Sequence, residues 1–157
     1  MPMIVWNDRM SVGVKLLDND HKKLVLLINH LHDGLVAGHA RLELEGIFDK
    51  LVDFTRLHFS HEERFLAEAG FQGWAAHRQE HDQLLDQLME LQVRFLSGAA
   101  RAKDRDVMNR LRAWFFKHTQ GADQDFVPHL KAKGVDSILA AWDKPVLVAR
   151  ENPAIQL

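Results

Sequence analysis

The sequence predicts an all-α protein: an up-down-up-down four-helix bundle with an irregular N-terminal arm and a short C-terminal tail. Three observations lead there. Apolar residues recur at steps of three and four along four long segments, glycines interrupt the pattern between them, and the interruptions are too short for anything but antiparallel neighbours. With 157 residues, 46 % of them apolar, the chain can bury one core and is too short to expect two. The expected unit is residues 1–134, an arm (1–17) and a bundle (18–134). A tail (135–157) follows, packed on the bundle or meeting a partner.

Taken in order, residues 1–17 place Trp6, Val12, Val14 and Leu16 around Gly13 and read as an arm laid against the helices. Asp18, Asn19 and Asp20 are cap candidates for a first helix. Its inward stripe is Leu17, His21, Leu24, Ile28, Leu31 and Leu35, and Gly38 ends it. A second helix spans about 41–69, with Ile47, Leu51, Phe54, His58, Glu62 and Phe65 inward, before Gly70 and Gly73. The third carries Trp74, His77, His81, Leu84, Leu88, Leu91 and Phe95, and stops at Ser97 and Gly98. The fourth covers about 104–131, with Val107, Leu111, Trp114, Phe115, His118 and Phe126 inward and Gly134 just beyond. In the tail, 137–142 suit one helical turn, while Pro145 and Pro153 forbid a long helix.

Composition removes several function classes. Lys and Arg total 20 against 22 for Asp and Glu, a formal charge of -2 with no basic block, so nucleic acid is not an expected partner. The absence of cysteine closes disulfide, thiolate and iron–sulfur chemistry. No segment approaches the roughly 20 apolar residues of a membrane span, so a cytoplasmic location is expected.

The chemistry lies in polar residues placed on apolar stripes. Residues four apart share a helix face, so His58 with Glu62 and His77 with His81 can each aim two donors at one point. His21, His118 and Asp123 add three more from the other helices. One histidine on such a stripe is ordinarily a satisfied core residue. Five imidazoles and two carboxylates buried without partners would each cost several kcal/mol, whereas a metal satisfies them together. One tetrahedral zinc needs four donors, and seven are present. His30, His32, His39, His61 and His129 sit off the stripes or near helix ends and are expected to be solvated.

Two details of spacing matter. Strict heptad counting from His58 reaches His61, while a 3.6-residue period prefers Glu62; periodicity does not decide between them, and the need for bridging carboxylates favours Glu62. His118 and Asp123 are five apart, which an ideal helix sets about 140° apart around its axis. A π-type widening, eased by Gly121, would bring them together.

The order His21, His58-x-x-x-Glu62, His77-x-x-x-His81, His118-x-x-x-x-Asp123 resembles the hemerythrin family in its bacterial single-domain form. The stretch from Trp6 to Leu24, with Ser-Val-Gly-Val and then Leu-Asp-x-x-His-Lys-x-Leu, is similar to the run before that family's first ligand. The resemblance implies two iron ions with a bridging oxo or hydroxo group. One iron would be held by His77, His81 and His118 and the other by His21 and His58, with Glu62 and Asp123 bridging. It implies an open position where dioxygen binds reversibly, in an oxygen carrier or store that is not an enzyme. Leu24, Phe59, Trp114 and Thr119 fall at places that line the family's oxygen pocket.

Three departures stand out. Thr119 replaces a common isoleucine and is expected to bring a hydroxyl toward the pocket, speeding autoxidation. Asp20 stands where glutamine is common, and Phe126 where a tyrosine often follows the bridging aspartate. Other classes of use for the same centre are a di-iron oxidase or peroxidase, a nitric-oxide or iron-handling protein, and an oxygen or redox sensor. The last would act through the arm or tail on a partner. An oxygen-using enzyme and self-association are the macromolecular contacts considered.

Overall fold

The structure, a computed structural model, describes residues 1–97 and 101–134, with side chains from all but 101–103. The tail (135–157), including the turn expected at 137–142, lies outside the described residues. Among the described residues five α-helices form: α1 (Lys15–Ala37), α2 (Arg41–Glu68), α3 (Trp74–Ser97), α4 (Arg101–Lys117) and α5 (Asp123–Lys133). A π turn, His118–Ala122, joins α4 to α5, so the two make one rod and the described residues make four. α1 packs on α2, α2 on α3, α3 on α4, and α4 returns to α1. This is the predicted bundle.

Gly38 ends α1 at φ 74°, a conformation that costs any residue with a Cβ, and the His39 amide then bonds the Gly34 carbonyl at 2.9 Å. α2 begins at Arg41 and α3 at Trp74, as their stripes predict.

The start of α1 differs from the expectation. The helix begins at Lys15, three residues before the proposed caps, and its N-cap, Val14, makes no side-chain capping bond. Burial overrides cap chemistry here, because Val12, Val14 and Leu17 all enter one apolar cluster. Asp18 instead reaches back into the arm, accepting from the Val12 amide at 2.8 Å and the Ser11 hydroxyl at 2.6 Å. Asp20 points inward. The arm is more regular than expected: Asp8–Met10 form a 3₁₀ turn, and the Asn29 side chain bonds both the amide (2.9 Å) and the carbonyl (2.8 Å) of Ile4.

The core is divided along its length. One apolar cluster contains Leu24, Leu51, Phe59, Leu84 and Phe115, and a second contains Leu17, Phe65, Phe126 and Leu130, with Trp74 against it. Along every rod the chain passes from one cluster to the other at a candidate donor, and His58 sits just inside the first cluster, one residue before Phe59. His21 falls between Leu17 and Leu24, Glu62 between Phe59 and Phe65, His77 and His81 between Trp74 and Leu84, and His118 and Asp123 between Phe115 and Phe126. A polar layer is thus sealed by apolar packing on both sides.

Candidate metal centre

His21, His58, Glu62, His77, His81, His118 and Asp123 are all buried, and their donor atoms converge. His21 Nε2 lies 3.1 Å from His58 Nε2 and 3.1 Å from Asp123 Oδ2. His118 Nε2 lies 3.2 Å from His58 Nε2 and 3.2 Å from Asp123 Oδ2. Across the layer, His81 Nε2 is 3.3 Å from Glu62 Oε2, and His77 Nε2 is 3.4 Å from Asp123 Oδ1. These atoms form two groups, each within 4.8 Å: His21, His58, Glu62, His118 and Asp123, and Glu62, His77, His81 and Asp123. Glu62 and Asp123 belong to both. His118 Nε2 falls with His21 and His58, whereas the family resemblance implies a place with His77 and His81.

The π turn makes the fourth rod's contribution possible. The Asp123 amide bonds the His118 carbonyl five residues back, so five residues occupy about one turn and both side chains face inward. Gly121 is not sterically required: it has no positive φ, and a Cβ there would meet nothing within 4 Å.

Electrostatics prepare the layer for cations. Burial opposes ionisation of Glu62, but the close approach of the His118, His77 and His81 imidazoles outweighs it and holds the carboxyl well below the usual range. Asp123 moves the other way, pushed well above its usual range by burial and then by the charge of Glu62. Burial, reinforced by the charge of His58, pushes His21 well down. Burial also lowers His118 to about 3, against the opposing pull of Glu62. For His81 burial is overcome by the nearby Glu62 carboxylate and by the hydrogen bond to Glu63, and its pKa is raised.

Both oxygens of Glu62 and of Asp123, with Nε2 of His77 and of His81, are buried without a hydrogen-bond partner. Such atoms are costly to bury unless something else satisfies them. Cations would, and imidazole with carboxylate is a donor set that suits iron. The residues fit the metal pair that the resemblance implies.

Two carboxylates behind the donors escaped the sequence reading. Glu63 Oε1 lies 2.8 Å from His81 Nδ1, and Asp20 Oδ2 lies 3.3 Å from His58 Nδ1. Their signal was adjacency: each neighbours a proposed ligand, and ligating histidines need an outer partner. His61 and His129, expected to be solvated, are both half-buried. His61 Nδ1 is 2.8 Å from Asp20 Oδ2, and His129 Nε2 is 2.9 Å from the Ala69 carbonyl. Each turns inward because a buried acceptor on a neighbouring segment needs a donor. His30 and His39 are exposed.

Leu24, Phe59, Trp114 and Thr119 are buried around this layer. Phe59 stacks on the His81 ring at 3.9 Å, and the Trp114 indole donates to the Leu84 carbonyl at 2.8 Å. The Thr119 hydroxyl donates to the Phe115 carbonyl at 3.0 Å, so its proton is committed to its own helix. Among the described residues, a surface cavity of about 590 Å³ lies at the far end of the bundle, beside Leu35, His39, Arg41 and Asp104, and touches none of the seven donors. No helix among the described residues is long and apolar enough to cross a membrane.

Comparison with known proteins agrees with this geometry. The family model of the hemerythrin HHE cation binding domain matches residues 12–130. A bacteriohemerythrin of Pseudomonas aeruginosa (strain LESB58) is 34 % identical over 131 residues, covering 81 % of each chain. That of Methylococcus capsulatus (strain ATCC 33009 / NCIMB 11132 / Bath) is 31 % identical over 133 residues, covering 84 % of this chain and all (100 %) of the relative. A solved wild-type hemerythrin superposes with a TM-score of 0.71 at 30 % identity, covering 82 % of this chain and 98 % of the other. A match that runs through most of the chain, in sequence and in backbone alike, makes this protein a member of the hemerythrin family, and so a hemerythrin-type iron protein.

Proposed function

We propose that residues 1–134 bind dioxygen reversibly at a di-iron centre held by His21, His58, Glu62, His77, His81, His118 and Asp123. The observation that carries this reading is the sharing of Glu62 and Asp123 between two donor groups, the arrangement a pair of neighbouring cations requires. When bound, two ferrous ions with a bridging oxo or hydroxo group supply the two electrons that dioxygen takes up on binding and returns on release.

The chain's residues favour return over reaction. Five imidazoles are neutral donors and only two carboxylates are anionic, so the layer stays cationic, which disfavours the more oxidised states that attack substrates. Leu24, Phe59 and Trp114 wall the layer with apolar surface, limiting the water and protons that would carry reduced oxygen away. Thr119 turns its proton to the backbone and does not offer it to the layer.

The deciding experiment is an anaerobic optical titration with iron counted per chain. The reduced, iron-loaded protein is exposed to oxygen and then returned to inert gas. A charge-transfer band that appears and fully disappears, at two irons per chain, supports reversible binding. One-way conversion to the ferric state with release of hydrogen peroxide replaces it with an oxidase, peroxidase or redox-sensing role.

A further inference from the structure

Two imidazoles of α2 meet one carboxylate oxygen of α1. His61 Nδ1 lies 2.8 Å from Asp20 Oδ2, and His58 Nδ1 lies 3.3 Å from the same atom. The His58 side chain is fully buried with its Nε2 among the converging donors, Asp20 is nearly so, and His61 stands at the rim with 27 % of its side chain exposed. A short row therefore runs from the protein surface to a candidate iron ligand. It is the meeting on one atom that matters, because two donors on a single oxygen compete for its charge.

We propose that Asp20 and His61 are a pair of positioning residues that set how strongly His58 donates electrons to iron, Asp20 raising that strength and His61 moderating it. The proposal rests on the reading of His58 as a ligand. An imidazole that gives its Nδ1–H to a carboxylate is fixed in the tautomer that leaves the Nε2 lone pair inward, and it becomes a stronger donor. Asp20 alone would deliver that effect at full strength through a charge-assisted bond. His61 holds the shorter contact to the same oxygen and leaves His58 the longer one. The other outer carboxylate contact, Glu63 with His81, is 2.8 Å long. The Nδ1 atoms of His21 and His118 have no hydrogen-bond partner. Among these four imidazoles, His58 is thus the one held at an intermediate donor strength. A stronger donor stabilises ferric iron more than ferrous, so Asp20 favours oxidation and His61 restrains it.

Two variants of the full chain test this, Asp20→Asn and His61→Leu, with circular dichroism confirming that each folds. Without metal, ¹H–¹⁵N spectra of labelled histidines read each ring's tautomer and the exchange of its N–H. The wild type should show His58 as the Nδ1–H form. Asp20→Asn should speed exchange of that proton and, with metal added, should weaken metal affinity by about tenfold or more, the scale on which outer partners act. His61→Leu should slow that exchange. With two irons bound, the midpoint potential should rise in Asp20→Asn and fall in His61→Leu. Shifts in the same direction, or no change in either exchange or potential, overturn the proposal. Should the wild type take up fewer than two irons, the reading of the centre fails separately, and the metal-free exchange rates still decide whether the pair controls His58.

Discussion

The Asp123 amide closes on the His118 carbonyl five residues back, and this one wide turn brings the His118 Nε2 to 3.2 Å from Asp123 Oδ2. An unbroken α-helix would leave those side chains about 140° apart. Two donors of the polar layer therefore depend on a local departure from helical geometry, held in place by Phe115 on one side and Phe126 on the other. Packing maintains the turn; backbone freedom at a glycine does not.

That distinction is measurable at Gly121. Its φ is ordinary and space for a Cβ is open, so alanine should fit and remove unfolded-state freedom. Gly121→Ala is expected to leave iron stoichiometry unchanged and to stabilise the metal-free protein by up to about 1 kcal/mol in urea unfolding. A loss of stability of that size would show that the turn needs glycine.

Glu62 and His81 should differ when replaced. Glu62 contributes to both donor groups and His81 to one. Glu62→Gln is expected to weaken both metal positions by more than about a hundredfold, beyond the cost of losing an outer partner, while His81→Ala leaves one position near its original affinity. Anaerobic titration with cobalt(II) distinguishes them by end point, and equal losses in the two variants would count against shared bridging.

Metal uptake should release protons. Asp123 is raised well above the usual carboxyl range and His81 above the usual imidazole value, and both must deprotonate to bind. His21 and His118 are lowered and enter already neutral, so they contribute no proton near pH 7. Apparent ferrous affinity should therefore rise as pH rises through the raised values of His81 and Asp123, as protons cease to compete. A pH indicator in weakly buffered, oxygen-free solution should acidify on adding iron. No proton release would contradict the upward shifts of Asp123 and His81.

The hydroxyl of Thr119 should matter less than its position suggests. Because it donates to the Phe115 carbonyl, Thr119→Val removes a bond internal to the helix and leaves the shape of the wall. The autoxidation rate of the oxygenated protein should change by no more than about twofold. A marked slowing would mean that the hydroxyl reaches the oxygen site after all.

Much of this protein was legible in its sequence, for a common physical reason. Periods of three and four fix which helix face is buried, so the rods, their breaks at Gly38 and Gly70, and the placing of His21, His58, Glu62, His77 and His81 on inward faces follow from order alone. The five-residue step from His118 to Asp123 pointed to the π turn that the structure contains. Other features were settled only when the rods met. The start of α1 was decided by burial of Val14 and Leu17 against residues more than forty positions away, such as Phe65, and cap preference lost. The meeting of Asp20 with His58 and His61, and of Glu63 with His81, joins different helices at distances that no local pattern encodes. Local periodicity determines which face a side chain takes, while tertiary packing determines which atom it finds there.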